Sequence, residues 1–159
     1  VNAQESFDAV METLSEVRML RDVPQWDADD SPMALHATLL DVRARYDRVE
    51  AILAQMMERH GRTRALLHEA REAADDAWDA AATSKRTNAL DYMAGRERVA
   101  HVNVENLAER RRVRALERIE MILDSAVQQA RLAHRGLDTV RRDLDTRIRL
   151  LTLETRLEH

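Results

Sequence analysis

Apolar and small residues recur along the chain at alternating steps of four and three: Leu35, Leu39, Val42, Tyr46, Val49, Leu53, Met56, His60, Thr63, Leu67, Ala70, Ala74, Ala77 and Ala81. Only a helix holds that spacing on one face, because a period near 3.5 residues matches the helical turn and a strand would scatter it over both sides of a sheet. The pattern predicts a long helix over about 32–82 whose seam needs a covering partner. Ser31 followed by Pro32 marks its start: a serine accepts from orphan backbone N–H groups, and proline has none to satisfy at the first helical position.

Two further helices are predicted around it. Asn2 with Glu5 resembles a capping box, and Phe7, Val10, Leu14 and Val17 then form a short apolar stripe, giving a helix over about 3–21. The stretch 22–31, with Pro24, Trp26 and several Asp, reads as a connector. After a polar turn at 83–87, a third helix is expected over about 88–156, with a seam through Leu116, Ile119, Leu123, Ala126, Ala130, Ala133, Leu137, Val140 and Leu144. Gly95, the β-branched Val99, Val102 and Val104, and Arg110 to Arg112 blur its first half, so a bend is predicted within 95–112. The fold expected is all-α: a long antiparallel helical hairpin or coiled coil with a short N-terminal helix, forming a single elongated helical domain.

Folding about Ser84 and Lys85 makes facing residue numbers sum to about 169, a register argued from matching charges. It sets Glu69, Glu72, Asp75, Asp76 and Asp79 near Lys85, Arg96 and Arg98, sets Arg43, Arg45 and Arg48 toward Glu117, Glu120 and Asp124, and sets Arg59, Arg62 and Arg64 toward Glu105 and Glu109. Glu5, Asp8, Glu12 and Glu16 make the first helix a suitable cover for the basic end at Arg135, Arg141, Arg142, Arg147 and Arg149. Leu40, Ile52, Met57, Leu66 and Trp78 widen the seam beyond what one partner covers, and a homodimer or a bundle closed by another protein is expected.

Composition agrees with the helical reading and removes several functions. The 159 residues are 45% apolar and 34% charged, with only three Gly, two Pro and 3% aromatics, which is poor material for a sheet. With no cysteine there is no disulfide framework, thiol nucleophile or Cys-type zinc site; a cytoplasmic location is expected, with no membrane span or signal peptide. The final Leu157, Glu158 and His159 read as a tag remnant. Neither Glu-x-x-His pairs nor paired histidines at helical spacing occur, so no metal or other cofactor is expected and the chain reads as non-enzymatic. Glu97 and His101, one turn apart, read as a solvated pair, and His60 with Thr63 reads as a polar position that sets the register of the seam.

Arginine is the unusual feature, with 24 against one lysine. Arg110, Arg111, Arg112, Arg114 and Arg118 form a basic knot, and Arg141, Arg142, Arg147 and Arg149 a second cluster, which together raise nucleic acid as an alternative ligand. The net charge of −4, the scarcity of aromatics for stacking, and the acids Glu105, Glu109, Glu117 and Glu120 on the knot's own helix oppose it. A GC-rich genome also produces such a bias toward arginine. The residues expected to contact a protein partner are Trp26, Met56, Met57 and Trp78.

The phrases Ser84-Lys85-Arg86-Thr87-Asn88-Ala89-Leu90-Asp91 and Leu137-Asp138-Thr139-Val140-Arg141-Arg142-Asp143-Leu144-Asp145-Thr146-Arg147-Ile148-Arg149, in this arginine-rich setting, resemble small helical accessory proteins of actinobacterial phages. They cover about a fifth of the chain. The resemblance implies a protein that acts by binding a host or phage partner, with no catalytic residue to carry over.

Overall fold

The computed structural model describes residues 3–23, 25–26, 31–83 and 106–157. Among them the protein is all-α, with α1 at Ala3–Arg21, α2 at Pro32–Thr83 and α3 at Leu107–Leu157, and no strand. Ser31 starts α2 as its chemistry requires: its Oγ accepts from the N–H of Ala34 at 3.2 Å and its carbonyl from the N–H of Leu35 at 3.0 Å. The expected turn over 84–87 and the expected helical stretch 88–105 lie outside the described residues. Of the stretch where a bend was predicted, Leu107 to Arg112 belong to a continuous helix.

The chain groups into two compact units: Val1–Glu58 with Leu123–His159, and Arg59–Ile122. In the first, three helices share one core. Val10, Leu14 and Val17 of α1, Leu35, Leu39, Val42, Val49, Ile52 and Met56 of α2, and Leu123, Ala126, Val127, Ala130, Ala133, Leu137 and Leu144 of α3 are all buried. The seams therefore bury the faces their spacing selects. Ile52, placed among the surplus flanking residues, belongs to this core, whereas Leu40 and Met57 stay exposed.

Helix α1 runs antiparallel to α2. Arg48 Nε donates to Glu16 Oε1 at 2.6 Å, and Arg45 Nη1 donates to the carbonyl of Asp22 at 2.7 Å, just beyond the last turn of α1. The hydrogen bond to Glu16, reinforced by its charge, raises the Arg48 guanidinium above its ordinary value. Helix α3 is also antiparallel to α2: Arg43 pairs with Asp145 at 3.1 Å, the Tyr46 ring lies 4.3 Å from that of His134, and Arg131 Nη2 is 4.0 Å from Met57 Sδ. The Arg141 guanidinium sits 4.8 Å over the Tyr46 ring while also pairing with Asp138 at 2.7 Å, so Tyr46 is held by a stack and a cation–π contact together.

These contacts correct the register expected from charge. Arg43 meets Asp145, Arg45 meets Asp41 of its own helix, and Arg48 meets Glu16 of α1, not Glu117, Glu120 and Asp124. Glu16 thereby faces α2 instead of the basic end of α3. The charge matching took Ser84 and Lys85 as the centre of the fold-back, and the pairs that form do not share that register. Facing numbers accordingly sum to about 180–188.

Among the described residues of the second unit, Leu67 and Ala70 of α2 are buried, as is Asn106 just before α3. Antiparallel pairing is again cross-linked by charge. Glu120 Oε1 receives His60 Nε2 at 3.2 Å and lies 3.8 Å from Arg64 Nε, and Arg71 Nη2 pairs with Glu117 at 2.8 Å. The expected partners of Arg64, Glu105 and Glu109, are thus replaced by Glu120, which follows from the same shift.

A pair of neighbouring leucines tests the assignment of inner and outer faces. Leu137→Ala, at a position 1% exposed, is expected to cost about 2–5 kcal/mol in chemical denaturation. Leu132→Ala, at 62% exposed, should change stability by less than about 0.5 kcal/mol.

Candidate interaction site

In the second unit α2 and α3 part to leave an open cleft of about 570 Å³. Among the described residues its lining is apolar at the half-buried Ala74 and Trp78 of α2 and Val113 of α3, and the rest is charged, from Arg71, Asp75, Arg110, Arg114 and Glu117. The lining positions on α2 fall at 71, 74, 75 and 78 and those on α3 at 110, 113, 114 and 117, the i, i+3, i+4, i+7 spacing that puts a single stripe of each helix into the groove. Three of the residues singled out from sequence, Trp78, Arg110 and Arg114, therefore meet at one place. Trp78 is half-buried and lines the cleft.

The remaining candidates are dispersed. Trp26 is half-buried in the connector. Met57 is exposed and touches Arg131 through its sulfur. Met56 is a correction: expected at the surface as a partner contact, it is 3% exposed and packed in the core, as its own place in the α2 seam requires. Arg141 and Arg142 both pair with Asp138, and Arg149 is exposed. Arg147 is half-buried and engaged. The second arginine cluster is thus partly consumed by its own unit.

The first cluster is not consumed. Among the described residues, no ion pair or hydrogen bond engages the guanidiniums of Arg110, Arg111, Arg112, Arg114 or Arg118. Two of the acids expected to neutralise them point elsewhere, Glu117 to Arg71 and Glu120 to His60 and Arg64. Counting charges along the chain could not reveal this, because acids on one helix can be claimed by its neighbour. Arg110, Arg114 and Arg118 follow one another by single turns, with Arg110 and Arg114 on the cleft and Arg118 continuing the row.

His60 occupies the polar place in the seam, half-buried and tied to Glu120 across the helix pair. Among the described residues no three His, Asp or Glu side chains gather as a metal site, and no helix is long and apolar enough to cross a membrane. Glu97 and His101 lie outside the described residues. Comparison with protein-family models, with curated proteins and with solved structures finds nothing that matches this chain.

Burial predicts which of the polar pairs across α2 and α3 in this unit carries energy. A double-mutant cycle on His60→Ala and Glu120→Ala should give a coupling of about 0.5–3 kcal/mol, since both groups are largely shielded from water. The same cycle on the more exposed Arg71 and Glu117 should give less than about 1 kcal/mol.

Proposed function

We propose that this chain is a non-enzymatic helical protein–protein interaction module whose contact with its partner is centred on the Trp78 cleft. The observation that carries this reading is the cleft's composition, an aromatic and aliphatic lining beside arginines and carboxylates. That is the anatomy of a protein-binding hot spot, where an apolar centre supplies affinity and a mixed polar rim supplies specificity. A groove for a nucleic-acid backbone would instead be uniformly basic. A role as an accessory protein that acts on a host or phage partner is compatible with this reading, as is a homodimer.

A second reading has one observation in its favour. The row through Arg110, Arg114 and Arg118, which no carboxylate among the described residues engages, begins beside Trp78 and offers phosphate contacts next to a stacking ring, which is the chemistry of single-stranded nucleic acid binding.

A photo-crosslinking residue in place of Trp78 separates these outcomes in cells that contain the natural partner. A cross-linked product that contains another polypeptide and survives nuclease supports the module. A nuclease-sensitive product moves the assignment to the second reading, and a product of twice the chain mass identifies a second copy as the occupant of the cleft. In a parallel titration, charge reversal of Arg110, Arg111 and Arg112 should leave oligonucleotide anisotropy unchanged if the module reading holds. Salt-sensitive binding abolished by that reversal would overturn it.

A further inference from the structure

Helix α3 carries a second heptad seam on the side away from its core. Leu132, Gly136, Thr139, Asp143, Thr146, Leu150 and Leu153 follow one another by alternating steps of four and three, and every one is exposed. Leu150 and Leu153 are 55% and 54% exposed, so a substantial leucine surface faces solvent. The polar members cost little to dehydrate. The hydroxyls of Thr139 and Thr146 donate to the carbonyls of Arg135 and Arg142, at 3.1 and 2.9 Å, which turns their methyl groups outward. A Cβ added at Gly136 would meet nothing within 4 Å, leaving room there for an incoming side chain.

Charge says what covers this seam. One flank is a row of arginines, Arg131, Arg135, Arg142, Arg149 and Arg156, all exposed, and among the described residues the guanidiniums of Arg135, Arg149 and Arg156 have no ion partner. An antiparallel pairing of two α3 seams would set this row against its own copy, because like flanks meet in that geometry. A parallel pairing in register would set Asp143 against Asp143 of the second copy. Both self-pairings juxtapose like charges on a surface being dehydrated.

We propose that the outer seam of α3 docks an amphipathic helix of another protein, one with leucine-like residues along its stripe and acidic residues on the flank that meets the arginine row. The proposal rests on the interaction-module reading and assigns it a second contact surface. Helix-in-groove recognition by spaced apolar anchors supplies the affinity, and the arginine row selects the sign of the partner and fixes its side.

The test uses the full chain and two synthetic helical probes of about 28 residues, identical in a leucine heptad core but carrying glutamate or lysine at the flanking positions. The acidic probe should bind in fluorescence anisotropy and the lysine probe should bind at least about tenfold more weakly, with the difference shrinking at high salt. Leu150→Asp with Leu153→Asp should weaken the acidic probe by about tenfold or more, and Arg135→Glu with Arg149→Glu should erase the preference for it. Both pairs lie at the surface, so helix content and melting temperature should stay close to the parent's, which separates lost docking from lost folding. Equal binding of the two probes, or of neither, overturns the proposal. So does light scattering that shows a dimer which Leu150→Asp with Leu153→Asp converts to monomer, since the occupant is then a second copy. Probe binding that fails while cross-linking at position 78 still captures a protein removes this surface and leaves the module reading standing. Probe binding without that cross-link does the reverse.

Discussion

A helical seam with a period of 3.5 residues must be covered along its length, and every other feature of this chain follows from how that is met. Helix α3 provides the cover by running antiparallel to α2 in each unit. In the first unit α1 closes a third side, and the core there gains Val10, Leu14, Val17 and Ile52. In the second unit the buried apolar residues are few among those described, and Trp78, Ala74 and Val113 line an open cleft. Small residues of α2 at 70, 74 and 77 fill little space beside the Trp78 ring.

Polar side chains inside the seam do what apolar ones cannot, which is to specify how far α2 and α3 slide past one another. Alanine and leucine pack almost equally well after a shift of one heptad, but Tyr46 has its stack with His134 and its cation–π contact with Arg141 in one register only. His60 and Glu120 do the same in the second unit. Such contacts add modest stability but strongly penalise the alternatives.

How much of this was legible in the sequence depended on the range of the interaction. The helical class and the inner faces came from local periodicity: Leu35, Leu39, Val42, Val49 and Met56 are buried because 3.5-residue spacing leaves them no other face. The start of α2 was equally local, since Ser31 bonds to a residue three positions away. Register was not local. It depends on contacts between residues about a hundred positions apart, which periodicity does not measure, so charge matching set Arg43, Arg45 and Arg48 toward Glu117, Glu120 and Asp124 where the structure pairs Arg43 with Asp145. Met56 was misplaced because its flexible side chain drew notice at the expense of its heptad position. That Glu117 and Glu120 turn to α2 and not to the Arg110 knot was hidden for the same reason as the register, and the outer seam of α3 was hidden because glycine, threonine and aspartate interrupt its leucines.

Arg45 ties together three groups: Asp41 on its own helix and the carbonyls of Met19 and Asp22 at the end of α1. Backbone carbonyls at a helix C-terminus have no partner within the helix and carry its negative dipole end. Here a cation from another helix serves both needs, beside Arg18 and Arg21 in the last turn of α1 itself. The last turn of α1 is complete only once α2 has formed and presents Arg45 at the right height. That dependence makes the end of α1 a shared structure, built by the backbone of one helix and a side chain of the next.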